Sequence, residues 1–109
     1  MADMLATLAL ARSVLTALPG FPPVVVRGQE ADPGGEEGVV IDRVADTGVG
    51  MYGRAASTKR MQVTVFAQTA ERALNLTSEV RAALAEAGFT YLGSRPALDG
   101  AGELSEYRR

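Results

Sequence analysis

Thirteen carboxylates and eleven basic side chains, with no histidine and no cysteine, bound the chemistry open to this chain. Without histidine it lacks the usual general base near neutral pH and the commonest metal ligand. Without cysteine it can form neither a disulfide nor a thiolate metal site. Acid–base work would fall to the carboxylates. Asp42 and Asp46 lie four apart in an extended segment and would share a face at roughly 13 Å, too far for a dyad. Glu36 and Glu37 stand in the stretch DPGGEEG, residues 32–38, where solvated charge is the expectation and weak cation binding through oxygen the lesser alternative. That stretch lacks the ligand spacing of an EF-hand loop. The glycines of GVGMYG, residues 48–53, do not match the phosphate-cradling pattern GxxxxGK[ST]. Ser57, Ser78, Ser94 and Ser105 have no histidine to activate them. Tyr52, Tyr91, Tyr107 and Phe89 could stack on bases, but no basic stripe interleaves them, so packing in a core or an interface is expected instead. No enzyme activity, cofactor or metal site is therefore expected.

The elements that would carry these residues read clearly in places. At 109 residues the chain is expected to form a single domain over 1–109 with one core. A net charge of −2 argues against a domain that mainly grips phosphates. Residues 3–18 repeat Leu5, Leu8, Ala11 or Arg12, Leu15 and Leu18 at helical spacing, with Asp3 as N-cap and Pro19-Gly20 as the stop. Met4, Ala11, Val14 and Leu18 widen the apolar stripe, as in a well-buried helix or in one that also meets a neighbour. The segment is too short to span a bilayer and begins with an acid, so it reads as a helix of a soluble protein.

Pro22-Pro23 then leads into a short β-branched strand at 24–27. Residues 28–38 form an acidic, Gly-rich segment expected to be a mobile loop, with Glu30, Asp32, Glu36 and Glu37 and no base. A strand follows at 39–48, with Val40, Asp42, Val44 and Asp46 on one side and Val39, Ile41, Arg43 and Ala45 on the other. Neither side is purely polar, which suits a strand covered on its second side by another chain. A second mobile segment is expected at 48–58, placing Met51 and Tyr52 between glycines with Arg54, Lys59 and Arg60 behind them.

The stretch RMQVTVFAQTAERALNLTSEVRAAL, residues 60–84, is the best specified. Met61, Val63 and Val65 face one side of a strand; Gln62, Thr64 and Phe66 face the other. Thr69 is placed to cap a helix with Glu71 in its first turn. Ala73, Leu76, Val80, Leu84 and Ala87 recur at steps of three and four. Gly88 is the expected left-handed residue past the end, with Phe89 closing onto Leu84. Strands at 89–96 and 103–109, joined by the turn ALDGAG, complete the order α-β-β-β-α-β-β. Strands joined directly are most simply antiparallel. The expected fold is α+β, with two helices on one face of a mostly antiparallel sheet of four or five strands.

QVTVFAQTAERALNLTSEVRAALAEAGF resembles the strand–helix core of siphophage tail terminator, or tail-completion, proteins. In that family a strand leads through a threonine into an alanine- and leucine-rich helix, then a glycine, then a closing strand ending near "YRR". Gln62–Ala67, Thr69–Leu84, Gly88 and Tyr107–Arg109 match those features. The chain departs from the pattern where its last strand stops at the arginines, which leaves that strand's contacts open. The resemblance implies a structural virion protein at the head–tail junction, assembled in the host cytoplasm. It implies a homohexameric ring on the last ring of tail tube protein that ends tube growth and offers a docking surface to the head-side connector protein. DNA would only pass through its hole, and no membrane is involved. A closed ring needs two different patches to meet. Glu30, Asp32, Glu36 and Glu37 against Met51, Tyr52, Arg54, Lys59 and Arg60 are candidates for such patches or for the channel lining, or they remain solvated loops. Another neck component, a stopper or adaptor, is the alternative within the same class. A small ligand-binding α+β domain is the alternative outside it, and it would need a pocket with convergent polar groups.

Overall fold

The computed structural model describes residues 3–29, 35–48, 57–97 and 102–109. Two helices, α1 (Asp3–Thr16) and α2 (Ala70–Glu86), pack on one five-stranded sheet of β1 (Val24–Val26), β2 (Gly38–Gly48), β3 (Ser57–Phe66), β4 (Thr90–Pro96) and β5 (Glu103–Arg108). The α+β class and the order of elements follow the expectation. The sheet order is β1-β2-β3-β5-β4, so the last strand inserts between β3 and β4.

One pairing departs from the antiparallel rule. β1 runs parallel to β2, with Val24, Val25 and Val26 opposite Val39, Val40 and Ile41. The connection 27–37 approaches the dozen or so residues that a parallel return needs, so the chain can come back to the same end of the sheet. The other three pairings are antiparallel. β2 and β3 also pair further than expected, out to Gly48 opposite Ser57, which takes both ends of the segment 48–58 into strands. The predicted alternation along β2 stops at a bulge between Arg43 and Ala45, where the register shifts by one residue.

The core lies between the helices and one face of the sheet. Leu8, Ala11 and Leu15 of α1 and Ala73, Leu76, Val80 and Leu84 of α2 close over Val24, Val26, Val39, Ile41, Met61, Val63, Val65 and Tyr107. Leu5, expected in the α1 stripe, is instead 53% exposed. The helix also ends two residues earlier than predicted. Leu18-Pro19-Gly20-Phe21 then forms a turn in which the Phe21 amide donates to the Leu18 carbonyl at 3.3 Å and Gly20 takes φ +66°. Proline followed by a left-handed glycine is the signature of a type II turn.

Helix α2 ends as its sequence predicts at both termini. The Thr69 hydroxyl accepts from the Arg72 amide at 3.2 Å. Gly88 has φ +93°, the Phe89 amide donates to the Leu84 carbonyl at 2.9 Å and the Gly88 amide donates to that of Ala85 at 3.1 Å. These two bonds make a Schellman ending. Phe89 is carried into the core beside Leu84.

Candidate functional site

With the helices on one face, no element among the described residues covers the other face of the sheet, and the composition of this open face follows from strand parity. Residues alternate sides along a strand. Where Val24, Val26, Ile41, Met61, Val63 and Tyr107 turn toward the helices, Val25, Arg27, Val40, Asp42, Arg60, Gln62, Thr64, Leu104, Glu106 and Arg108 turn away. The registers place Val25, Val40, Thr64, Leu104 and Arg95 in one cross-strand row and Asp42, Gln62 and Glu106 in the next. Arg60 stands opposite Arg108 in a third. At the β4 bulge between Tyr91 and Gly93, Leu92 is left 42% exposed.

Ion pairs tie this face together across the strands. Arg60 donates from Nη2 to Glu106 Oε1 at 2.9 Å, and Arg95 donates from Nη1 to Glu106 Oε2 at 3.2 Å. One carboxylate therefore serves two guanidiniums from the strands on either side of it. Arg27 lies 3.6 Å from Asp42 on the neighbouring strand. Arg108 forms no ion pair among the described residues. Two arginines directly opposite each other repel unless a counter-charge lies between, and Glu106, one pair along, supplies it. The Nε of Arg60 is buried without a hydrogen-bond partner.

Another ion pair fastens the end of the acidic segment to α2. Arg72 donates from Nε to Glu37 Oε2 at 2.8 Å and from Nη2 to Oε1 at 3.2 Å, a two-pronged contact. The hydrogen bonds from Arg72 hold the Glu37 carboxyl below the usual carboxylate range, and the same bonds raise the Arg72 guanidinium. On the covered face, Tyr107 is fully buried and accepts from the Ser105 hydroxyl at 3.1 Å. Burial pushes its phenol upward. Tyr91 packs on Tyr107 with ring centroids 5.7 Å apart, and Arg81 lies 3.9 Å over the Tyr91 ring.

Of the residues singled out in the sequence, Glu30, Asp32, Met51, Tyr52 and Arg54 lie outside the described residues. Lys59 pairs through its backbone with Asp46. Glu36 is exposed, Glu37 is clamped by Arg72, and Arg60 belongs to the open-face network. Among the described residues of the two sets, Glu37 and Arg60 do not meet. Glu37 precedes Gly38, which pairs with Phe66, while Arg60 sits six positions back along β3, roughly 20 Å away. Their sequence proximity to strand ends concealed the actual partners, Arg72 of Glu37 and Glu106 of Arg60. The alternation Arg60, Gln62, Thr64 and Leu104, Glu106, Arg108 is visible in the sequence. What the sequence did not provide was the placement of β5 beside β3.

A pocket of about 390 Å³ opens between α1 and β1, lined by Leu5, Leu8, Ala9, Arg12, Val26 and Gln29. Its walls are mostly apolar. No group of three or more metal-binding side chains occurs among the described residues. Among them, no helix is long and apolar enough to cross a membrane. No protein-family model matches the chain, and a search of the curated proteins finds no match.

Proposed function

We propose that the chain is a structural virion protein that caps a tail tube as a ring, most simply a hexamer, ends tube polymerisation and presents a docking surface to the head-side connector. What supports this reading is the likeness of residues 60–89 to tail terminator proteins. The observation that carries it physically is a sheet covered by helices on one face only. Its other face bears a cross-strand ion-pair network and half-buried apolar side chains. An enzyme gathers titratable groups in a cleft, whereas a subunit of an assembly spreads charge and apolar area over a broad face. DNA would pass through the central hole without being read.

The test is polymerisation of purified tail tube protein with and without the chain. Added chain is expected to shorten the tubes and to place a blunt density at one end, seen by electron microscopy. An unchanged length distribution with bare ends overturns the reading. The pocket beside α1 is the specific observation that favours a ligand-binding domain instead. A saturable rise in melting temperature with a small amphipathic ligand, together with no effect on tubes, would move the assignment to that class.

A further inference from the structure

Helix α2 and the open sheet face lie on opposite sides of the molecule, and their charges are opposite in sign. The helix carries two arginines, and both are drawn to its flanks: Arg72 into the Glu37 carboxylate and Arg81 over the Tyr91 ring. Its outward face keeps Glu71, Glu79 and Glu86, none in an ion pair among the described residues, around the small side chains Asn75, Ser78, Ala82 and Ala85. Leu74 projects at its margin, 52% exposed. On the sheet the balance is reversed. Among the described residues, four arginines, Arg27, Arg60, Arg95 and Arg108, stand against two carboxylates, Asp42 and Glu106, and both carboxylates are already engaged.

We propose that the acidic outer face of α2 docks on the open sheet face of a second copy of this chain, giving each sheet a helix layer on both sides. This rests on the reading of the chain as a ring subunit and names the surfaces that meet. The dimensions agree. A helix of 17 residues is about 25 Å long, and five strands span about 19 Å. The small residues at the middle of the helix face let it approach the sheet closely. The carboxylates at its margins then meet the excess guanidinium charge, and Leu74 and Leu92 bring apolar area to the contact. Because the two patches differ and point in opposite directions, each copy uses both at once. The contact is heterologous, and it makes a ring when the rotation between copies closes.

The chain contains no cysteine, so an introduced pair reports contact cleanly. Ser78→Cys marks the centre of the helix face and Gln62→Cys the centre of the sheet face. Ser13→Cys, on the exposed side of α1, is the control. Each variant is first checked for an unchanged circular dichroism spectrum. On mild oxidation, the mixture of S78C and Q62C is expected to give several-fold more cross-linked dimer than the mixture of S78C and S13C. That excess should fall when Glu71, Glu79 and Glu86 are all changed to Gln in the S78C partner, and fall at high salt. Equal yields in the two mixtures overturn the interface. Tube capping without the Ser78–Gln62 link also overturns it and leaves the ring reading standing. A link without capping supports this interface and removes the tail role.

Discussion

The same strands present two faces with different chemistry. Toward the helices, Val39, Ile41, Met61, Val63, Val65 and Tyr107 are completely buried, and Tyr107 keeps its one polar atom satisfied with Ser105. Away from them, the same strands carry charge in pairs: Arg27 with Asp42, and Arg60 and Arg95 with Glu106. The covered face gains its stability from removing apolar area from water, an effect that does not depend on direction. The open face gains little from its exposed pairs, each worth roughly 0.2–1 kcal/mol. Its pattern is better understood as a means of solubility and partner choice than of folding. Val40 is the exception, since it lies on the open face by register and is nonetheless 1% exposed.

Substitutions should separate the two faces by size of effect. Leu84→Ala, in the core beside the Schellman ending, is expected to cost about 3 kcal/mol in urea unfolding. Leu104→Ala, half-buried on the open face, should cost clearly less. Equal losses would mean that the open face is core in solution, as it would be in a stable oligomer. Gly102→Ala comes next, at about 2 kcal/mol, because a Cβ there would stand 2.9 Å from the Val65 carbonyl oxygen and backbone cannot yield cheaply. An unchanged midpoint would show that the β4–β5 turn can move away from β3.

Glu106→Gln should cost about 1 kcal/mol, combining a half-buried and an exposed ion pair that share one carboxylate. The loss should diminish with added salt, as exposed charges are screened. A loss unaffected by salt would show that packing, and not charge, holds the side chain. Smallest is the Glu37–Arg72 clamp. The Glu37 carboxyl is held below its ordinary 4.5, so the clamp's contribution is fully present above that pH and is lost as pH falls through the lowered value. The melting temperatures of the native chain and of Glu37→Gln should therefore differ slightly at neutral pH and converge in strong acid. A difference that persists in acid would count against the ionised pair.

The covered face was largely legible in the sequence, because burial writes a period into the residues. Met61, Val63 and Val65 alternate, and Ala73, Leu76, Val80 and Leu84 step by three and four. Thr69 and Gly88 marked the helix ends because a cap and a left-handed residue each favour a few side-chain types. Three features were not legible. The parallel course of β1 depends on how the connection 27–37 runs, which local preference does not specify. The bulge near Val44 breaks an alternation that the residue pattern continues. The open-face network depends on β5 lying between β3 and β4, a long-range choice with no local signature. For that reason charge alone makes Arg60 a candidate for a subunit boundary, the channel or a solvated loop, and gives no sign of its partner within the chain, Glu106, 46 residues away.

The open sheet face, we propose, is completed by another copy of the chain at the end of a tube. The most direct measurement is a reconstruction by electron microscopy of tail tubes capped with the purified chain. The expected result is a ring at the tube end in which each α2 lies against the next subunit's open sheet face, with Glu71, Glu79 and Glu86 near Arg60, Arg95 and Arg108. A ring whose open sheet faces all remain in solvent, or tube ends that carry no added density, would contradict it.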